Sequence, residues 1–122
     1  MHQDKFFQGL RVLELSNALA GPSVGMFFAE LGAEVLKIEN PGTGGDITRA
    51  WQLPKEKEMI PPSGYYCSAN WGKKVLFRDL TDPSVRSEME ALIRESDVLI
   101  SNFKATSAKK LQLGYEHVQS LN

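Results

Sequence analysis

Cysteine is nearly absent from the sequence, and this limits the chemistry available to the chain. Cys67 is the one cysteine among 122 residues, so the chain has neither an internal disulfide nor a cysteine-based metal cluster. We expect Cys67 to behave as a small, partly buried apolar residue, because a reactive thiol requires a basic environment that the sequence does not show. No metal site is predicted.

Long apolar runs and an excess of positive charge are also missing. No stretch approaches the roughly 20 apolar residues that span a bilayer, and residues 1–5 lack the pattern of a signal peptide. We therefore expect a cytoplasmic protein that does not bind membranes. The net charge of −1 argues against a general nucleic-acid binder, which carries a strong basic excess.

Four short apolar segments predict the strands of a mainly parallel sheet. They lie at residues 10–15, 34–38, 74–77 and 97–100. After the first segment, Pro22 is expected to open a short buried helix that stops at Gly32. A strand, a turn, a helix and a second strand within about 30 residues are typical of a βαβ unit.

Later segments continue the alternation of strands and helices, which predicts an α/β fold. Asp82 and Pro83 predict the cap and first position of a helix, on which residues 85, 89, 92 and 93 form one apolar face. Short helices are expected at 63–71, 105–111 and 115–121. Residues 39–62 are rich in turn-forming residues and predict a long irregular connection.

Few helices are available to cover this sheet, and the sequence ends directly after the last predicted helix. A four-stranded parallel sheet with so little cover would expose apolar surface. We therefore expect a fragment or a chain that depends on partners, and we expect it to self-associate.

Candidate ligand-binding residues lie where the strands end, because parallel α/β sheets bind ligands outside their carboxyl ends. Residues 17–22 form either a loop that approaches a phosphate or only a tight turn. Glu39 is either a ribose ligand or a salt-bridged carboxylate. Asn102 is either a ligand contact or part of a local turn. Residues 18–23 lack the G-x-G-x-x-G pattern, so binding of NAD has little support.

Basic residues near these strand ends could contact phosphates, or could simply be solvated. They are Arg49, Lys73, Lys74, Lys104, Lys109 and Lys110. The two histidines, His2 and His117, have no nucleophile pattern beside them, and neither is assigned a catalytic role.

Three blocks of the sequence resemble a known family. They are GLRVLELSNALAGPSVGMFFAELGAEVLKIENPGTGGDITRAW at 9–51, YYCSANWGKKVLFRDLTDP at 65–83 and SDVLISNFKATSAKKLQLGYEHVQSLN at 96–122. Together they are similar to the opening of class III (CaiB/BaiF-type) CoA-transferases. This family includes formyl-CoA and carnitine CoA-transferases and the related α-methylacyl-CoA racemases.

The resemblance implies a Rossmann-like large domain built from both chain ends, a smaller domain between them and an interlocked dimer. Residues 1–122 would be the N-terminal CoA-binding portion, without the small domain or the catalytic segment. Such enzymes move CoA between an acyl-CoA and a carboxylic acid through an aspartate nucleophile. The resemblance places that aspartate beyond Asn122, so no catalytic residue is assigned and the chain alone is predicted to be inactive.

Site residues follow from the same resemblance. Ala18 and Ala20 fall in a loop that contacts CoA, with Leu19 between them in place of a polar residue of the catalytic loop. Asn102 falls at a cofactor contact, and Lys110 falls where a basic residue reaches the CoA phosphates.

The second block and two departures from the family pattern complete the set of positions. Lys73 and Lys74 match a basic pair of the family. Asn40 stands where many members have an arginine near the adenosine phosphates, and Thr81 stands where many have a lysine. Loss of these cations is expected to weaken phosphate affinity.

Three other functions remain open at this point. The chain could be a stand-alone nucleotide-binding or interaction module derived from this fold. It could be a fragment of a racemase-like isomerase. It could also be an unrelated NAD-binding domain, although its missing glycine pattern counts against that reading.

Overall fold

A computed structural model describes residues 5–58 and 62–122 of the chain. Within them, one four-stranded sheet has the order β3-β2-β1-β4, and all neighbouring strands are parallel. The strands are β1 Arg11–Leu15, β2 Glu34–Glu39, β3 Lys74–Phe77 and β4 Val98–Ser101. Each strand agrees with a predicted segment to within one residue at either end, so the predicted parallel α/β sheet is confirmed.

Helices lie on both faces of this sheet. They are α1 Ala20–Glu30, α2 Gly64–Asn70, α3 Arg86–Glu95, α4 Ala105–Lys110 and α5 Tyr115–Leu121. Helix α1 covers one face, where Val12, Ala33 and Val35 form a small apolar core, and α2 packs against α1. Helices α3 and α5 cover the other face, where the larger core includes Leu13 and Met89.

Helix α1 differs from the prediction at its start and in its buried face. It begins at Ala20, which places Pro22 at the third helical position rather than the first. Proline is tolerated there because the first four N–H groups of a helix have no intrahelical partner. The prediction of a buried apolar helix is wrong in detail: Phe27 is 54% exposed, and Gly21, Pro22 and Gly25 face the sheet instead. The predicted stop is confirmed by Gly32, which has a φ of +102°.

Helix α3 begins later than predicted because a 3-10 turn precedes it. Asp82 caps this turn, Pro83–Val85, because its Oδ1 accepts a hydrogen bond from the backbone N–H of Ser84 over 2.9 Å. The helix itself starts at Arg86. Its predicted apolar face is confirmed, because Met89 and Ile93 are buried in the larger core.

The predicted irregular connection contains short 3-10 turns in its described part, Pro41–Thr43, Ile47–Ala50 and Glu56–Glu58. Pro61 lies outside the described residues. In the described parts of the chain, no helix is long and apolar enough to cross a bilayer.

Cys67 is exposed, so its predicted partial burial is wrong. Helix α2 buries Tyr66, Ala69 and Asn70, and a residue that follows Tyr66 by one position is rotated by about 100° away from that face.

Candidate functional site

The strand order creates a switch point between β1 and β4, where α/β sheets of this kind bind ligands. Asn17 follows β1 and Asn102 follows β4, and the two residues are joined by a pair of hydrogen bonds. The backbone N–H of Asn17 donates to Oδ1 of Asn102 over 3.2 Å, and Nδ2 of Asn102 donates to the carbonyl of Asn17 over 2.9 Å. The Asn102 amide therefore fixes the loop after β1.

The other side of this loop is held by the connection that follows β2. Oδ1 of Asn17 accepts hydrogen bonds from the backbone N–H of Ile47 and of Ala18, both over 3.0 Å. Ala18 has a φ of +67°, in the left-handed region that non-glycine residues rarely adopt. Leu19 is 52% exposed and Ala20 is also exposed, so the tip of the loop is available to a ligand.

Close packing beneath the same loop supports the tight-turn interpretation as well. A Cβ at Gly21 would lie 2.2 Å from Cβ of Ser16. Only glycine lets the start of α1 come this near to the end of β1. The loop after β1 therefore combines a tightly packed turn at its base with an exposed tip.

A cleft of about 160 Å³ lies at the carboxyl edge of the sheet beside this loop. Its walls come from residues within 15–17, 38–46 and 78–81, together with Phe103 and Leu111. Most of the lining surface is apolar, and Asn40, Asp79 and Thr81 supply polar groups. The volume is below the roughly 300–1,000 Å³ of pockets that enclose a whole drug-sized ligand, so the cleft fits one part of a larger molecule.

Glu39 is a salt-bridged carboxylate. Nε of Arg49 donates to its Oε2 over 2.6 Å and Nη2 to its Oε1 over 3.0 Å, while the hydroxyl of Tyr66 and the backbone N–H of Asp46 also donate to it. Burial alone would raise the pKa of Glu39, but these donors outweigh it and lower that pKa. Burial and the neighbouring Glu39 raise the pKa of Tyr66. The carboxylate of Glu39 is therefore hydrogen-bonded to protein groups and is not available to a ribose hydroxyl.

Four charged side chains are buried under α1. Nζ of Lys37 lies 2.9 Å from both Oε1 of Glu14 and Oδ2 of Asp46. Nζ of Lys73 lies 2.7 Å from Oε2 of Glu14. The sequence contains a signal for this cluster that was missed: Glu14 and Lys37 each lie between apolar residues in the middle of their strands, and they are paired in the register of β1 and β2.

The basic pair Lys73 and Lys74 does not reach the cleft. Lys73 is buried, donates to the carbonyl of Pro22 and to Oδ1 of Asn70, and burial lowers its pKa. Lys74 opens β3, about 10 Å from the carboxyl end of that strand, and lies 3.9 Å from Glu34. These positions offer no support for phosphate contacts by either lysine.

Lys110 is exposed at the end of α4, next to Leu111 of the cleft wall.

The lining of the cleft includes a cation that the sequence patterns did not indicate. Arg78 follows β3, and its guanidinium donates to both carboxylate oxygens of Glu88, over 2.7 and 3.0 Å, and to the carbonyl of Phe77. In residues 5–58 and 62–122, no group of three or more side chains has the makeup of a metal site.

The sequence profile described as CoA-transferase family III matches residues 7–122. The succinate–glutarate CoA-transferase of Agrobacterium fabrum is 42% identical over 118 residues, covering 93% of this chain and 29% of that protein. The human succinyl-CoA:glutarate CoA-transferase is 35% identical, covering 99% of this chain and 27% of its own length.

A crystal structure of a CaiB/BaiF family protein from Brucella suis matches the fold with a TM-score of 0.86 and 34% identity. The match covers 98% of this chain and 32% of that structure. The chain thus spans about a third or less of the length of these relatives.

Proposed function

The chain belongs to CoA-transferase family III, and on that premise we propose that it forms the CoA-binding part of an enzyme that moves CoA between an acyl-CoA and a carboxylic acid. CoA supplies the thiol that carries the acyl group. The residues of this chain hold and orient it. A cytoplasmic location and a self-associating assembly belong to the same proposal.

The observation that carries this proposal is the pairing of an exposed loop with a cleft at the carboxyl edge of the sheet. Apolar walls can accept one flat part of CoA, and polar groups at the rim can bind its sugar and phosphates. The fit supports CoA as the ligand, because the cleft takes only part of it and the loop at residues 17–20 lies beside the opening.

We assign the contacts as follows. The backbone and side chains of Ala18, Leu19 and Ala20 contact CoA at the loop, and Asn40 contacts it in the cleft. Lys110 contributes a point charge to the phosphates from outside the cleft. Asn102 acts by holding the loop in place, since both ends of its amide are bonded to the backbone of Asn17.

The carboxylates closest to the loop and the cleft are poorly suited to attack a thioester. Glu14, Glu39 and Asp46 are buried and ion-paired. Hydrogen bonds from Thr81 lower the pKa of Asp79, and such bonds stabilise the charge that a nucleophile must share. We propose that this chain by itself has no transferase activity.

Two of the alternative functions can be weighed against these contacts. An NAD-binding domain would use the strand-end carboxylate for a ribose, and Glu39 is instead occupied by Arg49 and Tyr66. A stand-alone nucleotide-binding module would use the same cleft, so it differs from the main proposal only in lacking a transferase role.

Calorimetric titration of the purified chain with CoA, and with NAD in parallel, tests the proposal. We expect saturable binding of CoA and none of NAD. The Asn102→Ala variant should bind CoA about tenfold more weakly, since two hydrogen bonds of about 0.5–1.5 kcal/mol each order the loop. Asn122→Ala is the matched control, because Asn122 also bonds backbone carbonyls but lies at the other end of the sheet.

Absence of CoA binding would refute the assignment of this site. Binding that is unchanged in Asn102→Ala would refute the role of the loop. The same preparation, incubated with succinyl-CoA and glutarate, should form no glutaryl-CoA above a control without protein.

A further inference from the structure

Two buried lysines hold the two ends of the loop that joins β1 to α1. Nζ of Lys37 donates to the carbonyl of Ser16 over 3.0 Å, at the point where the loop begins. Nζ of Lys73 donates to the carbonyl of Pro22 over 2.7 Å, in the first turn of α1, where the loop ends. Residues 17–21 are therefore anchored at both ends by side chains from the interior of the fold.

Glu14 connects the two anchors. Its Oε1 accepts a hydrogen bond from Nζ of Lys37 over 2.9 Å, and its Oε2 lies 2.7 Å from Nζ of Lys73. The hydroxyl of Ser16 also donates to Oε1, over 2.9 Å. The side chains of Glu14 and of both lysines are fully buried. A displacement at one end of the loop is therefore transmitted to the other end through a single carboxylate.

Asp46 adds a contact to the middle of the loop. Its Oδ2 lies 2.9 Å from Nζ of Lys37, and its Oδ1 lies 3.4 Å from the backbone nitrogen of Ala18. Ala18 has a φ of +67°, and a residue other than glycine keeps such a backbone conformation only where its surroundings impose it. The buried charges thus lie beside the strained residue as well as at both ends of the loop.

A role in stability alone does not account for this cluster. Burying four charged groups carries a large desolvation penalty, and apolar side chains of similar volume often stabilise a fold equally well or better. Apolar side chains cannot, however, donate hydrogen bonds to the carbonyls of Ser16 and Pro22. Buried ion pairs with such additional bonds can select one conformation among several.

We infer that Lys37 and Lys73, joined by Glu14, are positioning residues that select the conformation in which the loop at residues 17–21 contacts CoA. The inference rests on the proposed function, because it takes CoA as the ligand. The three side chains are buried under α1 and act through the loop. Without either anchor, the loop is competent to bind for only part of the time, and the apparent dissociation constant rises by the inverse of that fraction.

Paired substitutions remove one anchor at a time without leaving an unpaired buried charge. Glu14→Gln combined with Lys73→Met removes the anchor at the α1 end, and the amide oxygen at position 14 can still accept from Lys37. Asp46→Asn combined with Lys37→Met removes the anchor at the β1 end and leaves Glu14 paired with Lys73. In calorimetric titrations, we expect each double variant to bind CoA about tenfold more weakly, which corresponds to a loop that is competent about a tenth of the time.

The backbone of the loop provides a readout that needs no ligand. In ¹⁵N relaxation measurements on the natural sequence, the amides of Ala18 and Leu19 should have order parameters of about 0.85, as rigid backbone does. In both double variants these values should fall toward about 0.6, while those of α3 stay unchanged. Side chains that only stabilised the fold would not loosen this one loop selectively.

Ile93→Ala is the matched control for a loss of stability. Ile93 is buried in the larger core, on the other face of the sheet, and truncation of its side chain leaves a cavity that lowers the free energy of unfolding. At a temperature where this variant is folded, its affinity for CoA and the order of its loop should be those of the natural sequence, because the two sites share no partners.

Double variants that bind CoA as tightly as the natural sequence would overturn this inference and leave the proposed function standing. Loop amides that stay equally ordered in the double variants, or an equal loss of affinity in Ile93→Ala, would overturn it too. A natural chain that does not bind CoA would overturn the proposed function, and with it the inference that the ordered loop serves CoA.

Discussion

Asp46 joins the buried interior of the fold to the loop that we propose contacts CoA. Its Oδ2 is paired with Lys37 in the interior, and its Oδ1 accepts from both the N–H and the hydroxyl of Thr48. The same Oδ1 lies 3.4 Å from the backbone nitrogen of Ala18. One carboxylate therefore connects β2, the turn after it and the loop after β1.

Acid should destabilise the chain through Asp46 and Glu39. The pKa of each is lowered in the folded protein, in spite of burial, by hydrogen bonds from Lys37 and Thr48 to Asp46 and from Arg49 and Tyr66 to Glu39. Each group thus contributes stability that is present above its unfolded pKa and is lost as the pH falls through the folded value. Urea unfolding should give a constant free energy from about pH 5 to neutral pH and a falling one below about pH 5.

A pair of variants checks this pH dependence. Glu39→Gln should be less stable at neutral pH and should lose less stability on acidification. Glu116→Gln, which alters an exposed acid on α5, should follow the natural sequence throughout. An acid slope that is as steep in Glu39→Gln as in the natural sequence would contradict the assignment.

Helix α1 rests on the sheet through its small residues. Gly21 lies against Ser16 and Gly25 lies against Glu14 and Lys73, so the helix covers the buried charges without displacing them. Its larger side chains are turned outward in part, as with Phe27. The spacing of the glycines, more than the apolar pattern, positions this element over the sheet.

Replacing Gly25 by alanine should destabilise the chain. A Cβ at this position would lie 1.9 Å from Oε2 of Glu14 and 3.1 Å from Nζ of Lys73. Breaking a buried ion pair costs about 3–5 kcal/mol, whereas alanine gains about 1 kcal/mol over glycine in a helix. We expect the free energy of unfolding to fall by about 2–4 kcal/mol.

Denaturant unfolding of Gly25→Ala measures this loss. Val24→Ala, at an exposed position of the same helix, should change stability by no more than about 0.5 kcal/mol. A Gly25→Ala variant as stable as the natural sequence would mean that Glu14 can move aside freely.

The whole molecule exposes apolar side chains unevenly. On the side of α1 and α2 and the connection between them, Leu53 is 70% exposed and Trp71 is 75% exposed, and Leu19, Val24, Phe27 and Trp51 are exposed as well. On α5, Tyr115 is the large exposed apolar side chain among the described residues. Several large apolar side chains exposed on neighbouring elements are typical of an interaction surface.

We expect the chain to self-associate through the α1–α2 side. Sedimentation velocity at increasing concentrations should give a rising weight-average mass. Trp71→Ser should weaken this association, while Tyr115→Ser, which removes an equally exposed aromatic ring elsewhere, should not. A monodisperse monomer at high concentration would contradict the expectation.

Local patterns in the sequence were sufficient for the elements of the fold. Apolar runs gave the four strands to within one residue at either end, and Gly32 gave the end of α1. The start of α1 was misplaced because proline is acceptable at several positions of a first turn. At the candidate site, the sequence predicts a ligand-binding role for the loop at residues 17–20 and for Asn102, but no local pattern predicts the hydrogen bonds that join Asn17 to Asn102.

By itself, the sequence determined the order of strands and helices, because periodicity and turn residues act over short distances along the chain. The tertiary structure decided which charges meet. Glu14, Lys37, Asp46 and Lys73 are far apart in sequence and come together through the register of parallel strands and the packing of α1. The tertiary structure also places Lys73 in the interior and Asp79 on the cleft wall. Burial and ion pairing depend on neighbours that no local sequence pattern specifies.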